Sequence, residues 1–205
     1  MIKGLKICGI SDPKTLNYIL NHPNPPKFIG FITNYKKSKR FVEYEKLKEL
    51  LNVDKRDIEF ISVLVDPTDE ILEKIKNLNF DYYQLYDVGP ERTKKIKLKY
   101  KIKIITAITV SSKDDVIKYK DYSKISDIIL FDSKGYHKSE SFDHSLLNEV
   151  PKTINKMIAG NIQIDDIPYL KNREYMIDLS GALEDANGKK DINKIDKLLN
   201  LFAKI

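Results

Sequence analysis

Lys6-Ile7-Cys8-Gly9 puts the chain's one cysteine two residues after a lysine and just before a glycine. If the segment is a strand, the side chains of Lys6 and Cys8 share a face. The ammonium would then stand beside the sulfur and favour the thiolate, the reactive form. The competing reading is a small buried hydrophobe, the common state of a free cysteine. Asp132 follows Ile128-Ile129-Leu130-Phe131. A carboxyl at the mouth of so apolar a strand is partly desolvated, which raises its pKa toward a general acid's range. A loop acid or helix N-cap is the alternative, and the same two readings apply to Asp178. Gly160-Asn161 and Ser180-Gly181 are turn dipeptides whose backbone N–H groups can cradle a phosphate. Arg40 closes a basic loop, Tyr35-Lys36-Lys37-Ser38-Lys39-Arg40, whose lysines read as solvated. Arginine occurs only at positions 40, 56, 92 and 173, and a guanidinium grips carboxylates bidentately. His22, His137 and His144 lack metal-ligand spacing and read as surface-loop residues; no Walker, zincin or zinc-finger pattern is present.

These residues need elements to hold them, and the chain alternates short apolar runs with amphipathic stretches. Strands are expected at Leu5 to Ile10, Phe28 to Ile32, Ile58 to Val65, Phe80 to Leu85, Lys101 to Ile108, Asp127 to Phe131, Ile154 to Ala159 and Tyr175 to Leu179. Helix starts are marked by Asp12-Pro13, Asp66-Pro67, Gly89-Pro90 and Asp191, each a cap signal, with proline at the first turn in the first three. Val42 to Leu51 carries Leu47, Leu50 and Leu51 on one face. Ser112 to Tyr119 and Ser145 to Val150 read as short helical segments. The last helix lines up Ile192, Ile195, Leu199 and Phe202. Strands this apolar, separated by helices, argue for parallel pairing with both faces covered. Eight such units predict a small (β/α)8 TIM barrel, one domain spanning 1–205. An open doubly wound sheet is the competing architecture, but the first turn is not a G-x-G-x-x-G. In a barrel the chemistry sits at the C-terminal strand ends, where Cys8, Gln84-Leu85-Tyr86, Asp132-Ser133, Gly160-Asn161 and Asp178 to Gly181 fall, with Arg40 in the loop that follows strand two.

Composition bounds the rest. The chain has 205 residues, 41% hydrophobic and 32% charged, values that exclude wholesale disorder. No apolar run approaches the roughly 20 residues of a membrane span. The charged opening residues do not resemble a signal peptide, so the cytoplasm is the expected location. One cysteine excludes an intramolecular disulfide. The net charge of +6 is mostly lysine and reads chiefly as solvated faces, with an anionic small molecule or nucleic acid as the other source. No basic run interleaved with aromatics forms a single-strand groove.

Several segments together resemble the phosphoribosylanthranilate isomerase family. Lys6-Ile7-Cys8-Gly9-Ile10 is similar to its K-I-C-G-[IL] opening. Gly30-Phe31-Ile32 with Ser38-Lys39-Arg40-Phe41-Val42, Val63-Leu64-Val65-Asp66, Gln84-Leu85, Asp132-Ser133 and Ala159-Gly160 resemble further family segments in order. Asp178-Leu179-Ser180, Glu184 and Gly188-Lys189-Lys190-Asp191 fit D-V-S-S-G-V-E-x-x-x-G-x-K-D without a gap. Departures are Tyr86-Asp87 for His-Gly, Asn161 for a glycine, Gly181-Ala182-Leu183 for S-G-V, and a loop from Lys134 to Ser141 with Gly135 as its only glycine.

The resemblance implies a barrel enzyme of tryptophan biosynthesis that uses no cofactor or metal. It implies an Amadori rearrangement with Asp132 as general acid and Cys8 as general base. Arg40 would hold the substrate's carboxylate and Asp178 would face the sugar hydroxyls. Gly160, Ser180 and Gly181, with the Asn161 turn, would line the phosphate site. The expected partner is a phosphorylated, carboxylate-bearing small molecule, with no nucleic acid or membrane, on a monomer or homodimer. Two other readings stay open at this point: a barrel isomerase acting on a different aminated sugar phosphate, and a catalytically degenerate barrel or basic binding protein.

Overall fold

A computed structural model of the chain describes residues 2–133 and 142–205. The Lys134 to Ser141 loop and His137 therefore lie outside the described residues. Eight strands run β1 Gly4–Cys8, β2 Phe28–Ile32, β3 Glu59–Val65, β4 Tyr82–Tyr86, β5 Lys103–Val110, β6 Ile128–Ser133, β7 Lys156–Ile158 and β8 Met176–Leu179. Each pairs in parallel with its sequence neighbour, and β8 closes on β1 through Gly4↔Met176, Leu5↔Ile177, Lys6↔Asp178 and Ile7↔Leu179. The closed ring is the expected TIM barrel, not the open sheet.

The helices are α1 Pro13–Leu20, α2 Tyr44–Leu51, α3 Asp69–Ile75, α4 Pro90–Tyr100, α5 Lys113–Ile117, α6 Tyr119–Tyr122, α7 Ile167–Leu170 and α8 Ile192–Phe202. Three short 3-10 turns complete them: His144–Glu149, Ile164–Asp166 and Gly181–Leu183. Local chemistry explains most of the starts. The Asp12 carboxylate accepts from the Thr15 N–H and Asp191 from the Asn193 N–H, so both ends of the chain begin their helices on the expected caps. The Asp66-Pro67 start is corrected. Thr68 caps α3, whereas Asp66 takes a left-handed φ of 38° and its N–H donates to the Tyr86 carbonyl. The cap residue must precede the first free helical N–H groups, and those lie two residues later than the proline suggested.

Period-2 alternation splits the strand residues into two cores. Leu5, Ile7, Ile29, Phe31, Phe60, Leu64, Ile104, Ile129, Phe131, Ile158 and Ile177 face out and pack under helical residues such as Leu16, Leu47, Leu72, Ile96, Ile167 and Leu198. Cys8, Phe28, Ile61, Val63, Tyr82, Ile105, Leu130, Met157, Ala159 and Met176 face in and fill the ring. Two of the three histidine expectations are testable here. His22 is corrected: it is buried between α1 and α8, accepts from the Asn24 N–H and contacts Asp196 at 3.3 Å. His144 is half-buried at the start of its 3-10 turn.

Candidate active site

The inward positions at the C-terminal ends of β1, β4, β6 and β8 are polar, and barrel closure brings them over one mouth. On β1, alternation puts Lys6 and Cys8 on the inside as expected. Gly30 of the neighbouring strand makes room for them. A Cβ there would lie 2.9 Å from the Cys8 sulfur and 3.2 Å from the Lys6 ammonium. Lys6 is fully buried, and its Nζ donates to Asp178 Oδ2 at 2.6 Å. Burial works against the ammonium, but the ion pair with Asp178 outweighs it and holds Lys6 protonated. Asp178 is thus a strand residue paired with Lys6, and the N-cap reading of it is excluded. Its other oxygen, Oδ1, is buried without a partner among the described residues.

Cys8 is 7% exposed. It is both things the sequence offered: a residue packed with the inner core and a thiol beside an ammonium. Burial raises its pKa, and the opposing pull of Lys6 does not offset that. The resting sulfur is therefore a thiol, and the expected thiolate stabilisation by Lys6 is present but smaller than the cost of burial.

Asp132 lies inside β6, paired with Thr109 of β5, so it is neither a cap nor a loop acid. Burial raises its pKa to about 6, with Asp178 adding to the rise; the Tyr86 hydroxyl and Lys6 pull the other way. Tyr86, read in sequence as the end of strand four and as a departure from the family pattern, donates to Asp132 Oδ2 at 2.8 Å and accepts from the Gln84 side-chain amide at 3.2 Å.

β7 and β8 pair through Met157↔Met176 and Ile158↔Ile177, which sets the two turn dipeptides side by side. Gly160 has φ 94° and Asn161 φ 56°, so asparagine sustains the left-handed turn where the family pattern has glycine. At Gly160 a side chain is barred twice, by φ and by the Ser133 backbone nitrogen 2.7 Å from any Cβ. The Ser180 hydroxyl donates to the Cys8 carbonyl at 3.0 Å, tying the ends of β8 and β1. Gly181 then opens the 3-10 turn.

Arg40 crosses over Gly9 and is gripped by Glu184, which takes both its Nε and its Nη2. Lys190 is nearly fully buried and also reaches Glu184, at 2.9 Å, and the Ser180 carbonyl, at 2.9 Å. Burial works against the Glu184 charge, but Arg40 and Lys190 hold the carboxyl below its usual range. Burial lowers the Lys190 pKa against the pull of Glu184. Sequence reading gave Glu184, Lys190, Gln84 and Ser133 no role, although all four stood within family-like segments. The signal that finds them is spatial: Ser133 Oγ and Gln84 Oε1 are buried with no partner among the described residues. Among those residues no cluster of three or more His, Cys, Asp or Glu could hold a metal, and no helix is long and apolar enough to cross a membrane.

The N-(5'phosphoribosyl)anthranilate (PRA) isomerase family matches residues 5–201. A curated relative from Rhizobium rhizogenes strain K84, N-(5'-phosphoribosyl)anthranilate isomerase, is 31% identical over 97% of this chain and 93% of its own. The solved phosphoribosyl anthranilate isomerase of Thermotoga maritima superposes with a TM-score of 0.86 at 23% identity, covering 100% of both chains. A solved phosphoribosyl anthranilate isomerase in complex with reduced 1-(o-carboxyphenylamino)-1-deoxyribulose 5-phosphate superposes with a TM-score of 0.84 at 22% identity, again over 100% of both chains.

Proposed function

This chain belongs to the N-(5'phosphoribosyl)anthranilate isomerase family, and from that premise we propose that Asp132 and Cys8 are the acid and base of its reaction. The protein is an isomerase of tryptophan biosynthesis that converts N-(5-phosphoribosyl)anthranilate to 1-(2-carboxyphenylamino)-1-deoxyribulose 5-phosphate. Asp132 protonates the furanose ring oxygen, the C1–O bond breaks, and the nitrogen lone pair forms an iminium. That cation acidifies the C2–H bond. Cys8 as thiolate takes the C2 proton, and the electron pair neutralises the iminium to give an enolamine, which tautomerises to the ketone.

One observation carries this assignment. Cys8 and Asp132 stand on different strands of one mouth, and both sense the same Lys6–Asp178 pair between them. The unpartnered Asp178 Oδ1 suits a sugar hydroxyl. The N–H groups of Gly160, Asn161, Ser180 and Gly181 suit the phosphate, with the buried Lys190 cation behind Ser180. With Nε and Nη2 of Arg40 on Glu184, its Nη1 edge is the one left for the anthranilate carboxylate. Phosphate and carboxylate would then clamp opposite ends of the substrate and align its reacting carbons. A lone thiol used in its reduced form fits a cytoplasmic protein.

Turnover followed by the loss of anthranilate fluorescence tests the pair. Cys8→Ala and Asp132→Asn are each expected to lower kcat by roughly 10²–10⁴-fold, the usual worth of a positioned proton-transfer group, while circular dichroism and melting stay near wild type. Near-wild-type turnover in either folded variant removes that residue from the mechanism.

The ionisation order shapes the pH profile. Asp132 titrates at about 6 and Cys8 above its ordinary value. Between those values the pair holds one proton, mostly on sulfur, and the productive form with neutral Asp132 and thiolate Cys8 is its minor tautomer at a fixed ratio. We expect kcat/KM to be flat between pH 6 and the raised Cys8 value, to fall above the latter as the last proton is lost, and to fall as pH drops through 6, where both groups become protonated and the base is lost. A rate that keeps climbing below pH 6 contradicts this order.

A further inference from the structure

Gln84 and Tyr86 alternate on β4 and both face the interior. β5 lies between β4 and β6; its Ala107 follows the Leu85↔Thr106 pair and so stands level with Tyr86, and its Thr109 pairs with Asp132. The side chain beside Tyr86 on β5 is only a methyl, and the Tyr86 hydroxyl reaches past that strand to Asp132. Gln84 is 1% exposed, and its Nε2 donates to the Tyr86 oxygen at 3.2 Å. A phenol has one hydrogen. With its oxygen already accepting from Gln84, that hydrogen is committed to Asp132 Oδ2 at 2.8 Å.

We propose that Tyr86 is a positioning residue for the acid: held by Gln84, it occupies Oδ2 of Asp132 and so leaves Oδ1 to carry the proton that the substrate's ring oxygen receives. The inference rests on the reading of Asp132 as that acid. When the Oδ1–H bond breaks and the ring O–H bond forms, the negative charge left on the carboxylate is met by the Tyr86 hydroxyl from β4, the Ser133 backbone N–H of β6 itself and the Lys6 ammonium from β1, and opposed by Asp178 from β8. The family's pattern has histidine at this position. A phenol keeps a donor aimed at the carboxyl without adding a second titrating cation to the mouth.

The test pairs a rate profile with a direct titration. Tyr86→Phe keeps the ring and removes the donor, so the acid limb of kcat/KM should move up by on the order of one pH unit. The 13C carboxyl resonance of Asp132, assigned by its loss in Asp132→Asn, should titrate higher by the same amount. Site-specific 3,5-difluorotyrosine at position 86, a stronger donor of nearly the same shape, should move both readouts the other way, and it serves if Tyr86→Phe does not fold. A role in packing alone would lower stability or rate without moving either titration. If the carboxyl resonance does not shift in either substituted protein, the Tyr86 inference falls while the acid role of Asp132 stands. If the resonance shifts and the rate profile does not, the acid role of Asp132 falls and takes this role for Tyr86 with it.

Discussion

The two ends of the barrel interior solve opposite problems. Toward the N-terminal end, Phe28 and Tyr82 meet edge to face at 5.8 Å, with Met176 and Ile128 alongside. The charges there ride on the rim: Lys27 sits 5.2 Å over the Phe28 ring, and Lys103 sits 4.9 Å over Tyr82 while bonding Glu59 at 2.8 Å. Asp127 binds Lys97 and the Ile104 N–H. A cavity of about 570 Å³ opens at this end, lined by Lys3, Lys27, Tyr82, Lys103, Asp127 and Met176. At the C-terminal end, by contrast, whole charges are buried. Lys6, Asp178 and Lys190 are all nearly inaccessible, and Gln84, Asp178 and Ser133 each keep one polar atom without a partner among the described residues. Volume therefore does not mark the site; buried charges together with polar atoms that lack partners do, since Tyr175 Oη and His144 Nε2 share the second feature but stand beside no buried charge pair.

That contrast can be broken by substitution. Removing the ammonium in Lys6→Met leaves Asp178 buried without its partner. We expect a loss of roughly 3–5 kcal/mol in urea unfolding, the usual cost of an orphaned buried charge. The double variant Lys6→Met/Asp178→Leu should recover much of that stability yet stay inactive. Full activity in the double variant would show the pair to be structural only.

A smaller effect is expected one layer out. Glu184→Gln weakens the clamp that aims Arg40 and removes a charge from Lys190. KM should rise about tenfold, close to the worth of one charge-assisted hydrogen bond, with kcat nearly unchanged. An unchanged KM would remove Arg40 from carboxylate binding through this geometry.

The least effect belongs to the opposite end. Lys103 is half-exposed and its partner Glu59 lies on the rim, so Lys103→Ala should shift stability by no more than about 0.5 kcal/mol and leave turnover intact. A marked loss of activity there would mean that the N-terminal cavity communicates with the mouth.

Much of this was legible in the chain. The eight apolar runs named the strands because a parallel barrel buries both faces of each one, and their polar C-terminal residues, Cys8, Asp132 and Asp178, marked where chemistry sits. Asp12 and Asp191 marked their helices because an N-cap acts within three residues of itself. Asp66-Pro67 misled because its aspartate carries the strand exit and Thr68 the cap, a choice the flanking strand makes. Gly160-Asn161 was readable because positive φ restricts residue type locally.

The periodicity of this sequence determined where the strands and helices lie and which types of group reach the strand ends, since these follow from interactions between near neighbours; closure rather than an open sheet depended on β8 pairing with β1. Which groups face one another was settled only by closure of the ring. Lys6 meets Asp178 across 172 residues, Arg40 meets Glu184 across 144, and Tyr86 meets Asp132 across 46. Protonation follows from those meetings. The Cys8 thiol, the Lys6 ammonium and the Asp132 carboxyl near pH 6 depend on burial and on charges a few ångströms away, and both are properties of the folded mouth rather than of any segment.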